Sequence, residues 1–82
     1  MKATVLVRPK RGILDPQGEA VTSSLRHLGF TVNEARIGRV IDLELDEVDE
    51  TQASEVVERM CEQLLANPLI ESYEIRVAGS AP

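Results

Sequence analysis

An α+β fold is what this 82-residue sequence predicts: a four-stranded antiparallel sheet with two helices on one of its faces. Three observations carry that expectation. Some segments alternate apolar and polar residues with the period of a strand, and two repeat apolar residues at helical spacing. The segments follow one another as strand, helix, strand, strand, helix, strand, which is a ferredoxin-like βαββαβ layout. No repeat, linker or low-complexity stretch interrupts them, so residues 1–78 are expected to form a single domain and 79–82 a flexible tail.

Lys2 to Arg8 sets Ala3, Val5 and Val7 against Thr4, Leu6 and Arg8, a strand apolar on both faces. Pro9-Lys10-Arg11-Gly12 is a basic turn. Asp15-Pro16 then opens a helix. The Asp carboxylate can accept from exposed first-turn amides, and Pro at the first helical position loses only an amide that had no partner. Val21, Leu25 and Leu28 form the apolar stripe, Gly29 ends it, and Phe30 stands where a closing motif packs back on Leu25. Gly18 is the anomaly. In the third helical position it costs up to about 1 kcal/mol against Ala, and the cap does not require it. A residue without a side chain admits another backbone, so Gln17-Gly18 is a candidate docking point.

Thr31 to Ile37 reads as a short, half-polar strand and Arg39 to Asp46 as a stronger one, with Ile41, Leu43 and Leu45 facing in. Gly38 between them suggests a tight hairpin. Asp49 caps a second helix, with Gln52 three residues on to complete a capping box. Ala53, Val56, Val57, Met60, Cys61, Leu64 and Leu65 form its apolar stripe, and Asn67-Pro68 stops it. Leu69 to Val77 is the last strand, with Tyr73, Ile75 and Val77 on one face. Leu6, Val40 and Ile70 are left pointing away from the helices, and they call for a cover.

The composition excludes several classes of function. A chain this short buries only about 60% of its unfolded surface. With one Tyr, one Phe and no Trp its core is thin, and self-association would help it. The single Cys61 rules out an intramolecular disulfide and a Cys-based zinc site; it reads as a buried small hydrophobe. Net charge of −5 and the lack of stacking aromatics argue against nucleic acid. No run is long enough for a membrane span, and Met1-Lys2-Ala3 leads straight into a strand, so a cytoplasmic location is expected. The charge is divided unevenly: residues 1–41 hold seven Lys or Arg against three acids, net +4, and residues 42–82 hold two against eleven, net −9. Such asymmetry suits orientation against partners.

Candidate chemistry is sparse. His27 has no orienting acid nearby in sequence. Asp42 to Glu50 packs six carboxylates into nine positions, but their alternation gives a solvated face and matches no calcium loop. The basic turn with Asn33 on the following strand is a distant version of an acyl phosphate-cleaving site, weakened by Pro9, which removes an amide. Neither a phosphate-binding loop nor a dinucleotide fingerprint is present.

Ile13-Leu14-Asp15-Pro16-Gln17-Gly18, then Arg36-Ile37-Gly38-Arg39 with Ile41-Asp42-Leu43, and finally Cys61 to Glu71 with Tyr73-Glu74, resemble the PurS family. PurS is the small subunit of phosphoribosylformylglycinamidine synthase, and the resemblance runs over residues 2 to 77. It implies a PurS-like α+β fold and a non-catalytic role in the fourth step of purine biosynthesis. In that reaction formylglycinamide ribonucleotide, ATP and glutamine yield the amidine. It further implies a large synthetase and a glutaminase as partners, a homodimer or homotetramer, ATP and Mg used by the complex, and no cofactor or metal on this chain. Carried over by position, the partner-facing residues are Asp15, Gln17, Gly18, Arg36, Gly38 and Arg39; no catalytic residue is implied. Val40 departs from relatives, which often carry an aromatic there. From the residues alone, a small regulatory domain binding a metabolite at a dimer interface is the alternative.

Overall fold

The computed structural model describes residues 1–46 and 49–78. The expected tail 79–82 and part of the acidic run, Glu47, lie outside the described residues. Element order is β1 (Lys2–Pro9), α1 (Pro16–His27), β2 (Arg39–Glu44), α2 (Glu50–Met60), a π-helical turn (Cys61–Leu65) and β3 (Glu71–Ala78). All three strands are antiparallel neighbours in the order β2-β1-β3.

Among the described residues the sheet therefore has three strands, not the four expected, and residues 31–38 form neither a strand nor one arm of a hairpin. β1 is already paired on both edges, Val5 standing opposite Ile41 on one side and Ile75 on the other. Segment 31–37 instead runs beside α1, where side chains of the helix take its backbone groups. Weak alternation in a half-polar stretch is not enough to hold a strand when local hydrogen-bond partners compete.

Alternation sorts the sheet's two faces. Ala3, Val5 and Val7 are buried in the centre, flanked by Ile41 and Leu43 from β2 and Tyr73, Ile75 and Val77 from β3. α2 covers this face with Ala53 and Val57, and Cys61 and Ala66 complete the core. Every fully buried side chain is small, so the core is as thin as the composition implied. Cys61 is wholly buried, and burial, reinforced by Glu58 and Glu62, pushes its thiol up. A buried thiol that resists ionisation is inert packing.

The opposite face is mostly polar. Thr4 Oγ1 bonds Asp42 at 3.0 Å and Arg76 Nε bonds Glu74 at 2.6 Å. Leu6 opposite Val40 is its apolar pair, while Ile70 precedes β3 in a turn and does not belong to the sheet. The expected apolar underside is thus reduced to one cross-strand pair. Thr4 and Asp42 satisfy one another across β1 and β2, and Arg76 and Glu74 along β3.

Both helices begin as their sequences dictate. Asp15 caps α1 and Asp49 caps α2, the latter accepting from Thr51 N at 2.8 Å without a reciprocal Gln52 bond among the described residues. α1 ends with Gly29 N bonding Arg26 O and Phe30 N bonding Leu25 O, the double bond of a Schellman closure. Phe30 itself stays 60% exposed. After Met60 the second helix widens: Ala66 N reaches Cys61 O, five residues back.

The second departure is the place of α1. It shares no packed layer with the sheet, so one helix and not two covers the apolar face. The molecule measures 48 × 31 × 14 Å with a radius of gyration of 16.1 Å. A compact chain of this length would have about 12 Å.

Candidate functional site

Asp15 does more than cap a helix. One carboxylate oxygen accepts Gly18 N at 3.0 Å and the other accepts Ile37 N at 2.8 Å, tying two segments 22 residues apart. Those two amide bonds, Ile37 first, hold its carboxyl below the usual value of 3.8, helped by the Arg36 charge. Thr22 repeats the device about two turns later. Its hydroxyl donates to Gly18 O and accepts from Ala35 N, both at 2.9 Å. Arg26 completes it from the next turn, with Nε on Val32 O at 2.9 Å and Nη2 on Asn33 O at 3.2 Å. Residues 32–37 are strapped along α1 by four side-chain hydrogen bonds.

Gly18 is the reason the strap can lie so close. A Cβ on it would overlap the Ala35 carbonyl oxygen and the Asp15 carboxylate. Gly18 is accordingly buried. The close approach its sequence suggested is made by the chain's own backbone. Gly38 has the same role at the other end of the strap, where a Cβ would overlap the Val7 carbonyl oxygen of β1. It admits the chain to β2, which starts one residue later.

Arg39, which the sequence leaves without a local duty, has a specific one. Its guanidinium forks onto Glu71, Nη1 to Oε2 at 2.7 Å and Nη2 to Oε1 at 3.0 Å, and also donates to Leu65 O. That carbonyl lies at the end of the π-helical turn, where it has no further helix to bond. Glu71 also accepts Asn67 N at 2.8 Å, so one ion pair ties β2, the π-turn and the start of β3 together. The contact with Arg39, then the Asn67 amide, lowers the Glu71 carboxyl, and Glu71 raises the guanidinium in turn.

The six residues singled out from sequence therefore fall into two groups. Asp15, Gly18, Gly38 and Arg39 are engaged within the chain, while Gln17 is exposed and Arg36 has, among the described residues, one loose 3.9 Å pairing with Glu34. Thr22, Arg26 and Glu71 belong to the same constellation and were not among them. A mid-helix Thr one turn after the anomalous Gly18 was the local sign of Thr22, and the Arg26 position reads equally well as a helix-end cation.

α1 leaves its apolar stripe open. Val21 is 37% and Leu28 73% exposed, with Phe30 beside the helix end. A second apolar group, Leu64 and Leu69, is more than four-fifths exposed near the Arg39–Glu71 pair. Among the described residues no group of three or more His, Cys, Asp or Glu could hold a metal ion. Asn33 lies in the strap rather than on a strand, away from the arrangement an acyl phosphate site needs. Among the described residues no helix is long and apolar enough to cross a membrane.

Comparison with known proteins gives a consistent result. The family model PurS, phosphoribosylformylglycinamidine (FGAM) synthase, matches residues 2–79. The PurS subunit of that synthase from Methanocaldococcus jannaschii is 43% identical over 77 residues, 93% of each chain. The Synechocystis PurS subunit is 49% identical over 70 residues, 84% of this chain and 68% of the relative. Among solved structures, M. jannaschii PurS, described as a subunit of formylglycinamide ribonucleotide amidotransferase, superposes with a TM-score of 0.86 at 42% identity, covering 98% of both chains. A chain in the structure of PurLQS from Thermotoga maritima superposes with a TM-score of 0.84 at 37% identity over 92% of this chain and 93% of that one.

Proposed function

We infer the role of this chain from its family: it belongs to PurS, and it is the PurS subunit of phosphoribosylformylglycinamidine synthase in purine biosynthesis. Its task, we propose, is assembly. It holds a glutaminase and an ATP-dependent synthetase in one complex, so that ammonia from glutamine is used where formylglycinamide ribonucleotide is converted to the amidine. ATP and Mg serve the synthetase, and this chain carries no cofactor.

The observation that supports this most directly is α1. A helix standing off the sheet with its apolar stripe exposed is a poor element for a free monomer and a good one for an interface. A second copy of the chain covers that stripe, giving a homodimer or a dimer of dimers. Gln17 and Arg36 face partners, while Asp15, Gly18, Gly38 and Arg39 act by holding the strap and the π-turn in place. The likeness to a chain of the T. maritima PurLQS supports the three-subunit reading.

The test is reconstitution from purified parts. Synthetase and glutaminase are mixed with and without this chain, and glutamine-dependent amidine formation is measured. Omission is expected to abolish the glutamine-dependent rate while leaving the ammonia-dependent rate of the synthetase less affected. An unchanged glutamine-dependent rate without the chain would refute the role.

A further inference from the structure

On the side of α1 away from its apolar stripe, an open cleft of about 890 Å³ lies between turn 10–14, the polar helix face and residues 33–36 of the strap. Four cations line it, Lys10 and Arg11 from the turn, Arg26 from α1 and Arg36 from the strap, with His27 beside them. Three acids share the lining, but they do not cancel this charge equally. Both oxygens of Asp15 are already taken by the Gly18 and Ile37 amides. Glu34, 74% exposed, reaches Arg36 only at 3.9 Å, and Glu19 is exposed at the start of α1. Ile13 and Leu14 stand among the cations, 39% and 71% exposed.

Resting on the assembly role, we propose that this cleft seats an acidic, partly apolar segment of a partner subunit of the synthase, with Lys10, Arg11 and Arg36 as its charge contacts. A second copy fits less well. Self-associating surfaces are apolar, and the stripe of Val21, Leu25 and Leu28 on the other side of α1 has that character. A lining of exposed cations instead suits a contact steered and registered by charge. A small metabolite fits less well too: the cleft is open, and among the described residues no buried side-chain polar atom lacks a partner that a ligand would supply. The strap matters here, since its hydrogen bonds to α1 place Arg36 in the same lining as Lys10 and Arg11 before any partner arrives.

The experiment measures binding of this chain to the synthetase–glutaminase mixture by biolayer interferometry, at low and at raised salt. The variants are K10E/R11E, confined to an exposed turn, and K10E/R11E/R36E. Arg59→Glu, exposed on α2 outside the cleft, is the control. Charge reversal is expected to weaken association by roughly tenfold or more at low salt, with the difference shrinking as salt rises. Arg59→Glu should match the wild type, and sedimentation should give every variant the wild-type oligomeric state. Wild-type affinity in a folded K10E/R11E variant overturns the proposal and leaves the assembly role standing. A changed oligomeric state would assign the cleft to copy–copy contact and overturn it as well. Failure of the wild-type chain to bind at all defeats the assembly role and the cleft proposal together.

Discussion

Gly18 carries no side chain because the Ala35 carbonyl oxygen stands where its Cβ would be. Local propensity marked the residue as costly, and that much was legible, but propensity cannot say which backbone fills the space. Arg39 teaches the converse lesson. Nothing within a few positions of it explains its charge, because Glu71 is 32 residues away and the Leu65 carbonyl is orphaned only by a π-turn. Gly18→Ala is expected to destabilise the folded chain by about 1–3 kcal/mol, since the overlap is with backbone and relief requires the strap to shift. Denaturant unfolding followed by circular dichroism measures this. A cost near zero would mean that the strap does not lie on α1.

The strap, residues 32–37, is the feature of the fold that sequence periodicity misread. Thr31 to Ile37 alternates well enough to be taken for a strand, yet the amides of Ala35 and Ile37 bond Thr22 and Asp15. Side chains of Asp and Thr compete with strand ladders for backbone groups, and here they stand about two helical turns apart on the right face. The strap should depend on acidity with a definite sign. Asp15 has a folded pKa below 3.8, so its contribution is fully present above that value and is lost as pH falls through the lower, folded one. In a proton NMR titration the Gly18 and Ile37 amide resonances should therefore move together, with a single midpoint below 3.8. Separate midpoints, or a shared one at or above that value, would show that one carboxylate does not serve both.

As a body, the chain is an open two-layer sandwich with an arm. Its 16.1 Å radius of gyration against about 12 Å for a compact chain reflects α1 and the strap standing clear of the sheet. A core of three valines, three alanines and a cysteine is little to stabilise such a shape, and the exposed stripe of α1 is the obvious supplement. Wild-type protein should sediment as a dimer or larger at micromolar concentration. Leu28→Glu, at a position 73% exposed in the single chain, should shift it to monomer without changing its far-ultraviolet circular dichroism. A wild-type monomer under those conditions would leave the stripe without a role.

Periodicity, caps and the charge division needed no structure to be read. β1, β2, both helices and the inward face of β3 follow from residue spacing, since side-chain direction along a regular element is a local property. The resemblance to PurS also lay in short ordered motifs. The number of strands, the detachment of α1 and the duties of Gly18, Gly38 and Arg39 were not readable there. Each depends on which distant backbone group arrives at a given place, and no local pattern encodes that. The chain specifies its elements one by one; the strap and the Arg39–Glu71 clamp exist only once those elements meet.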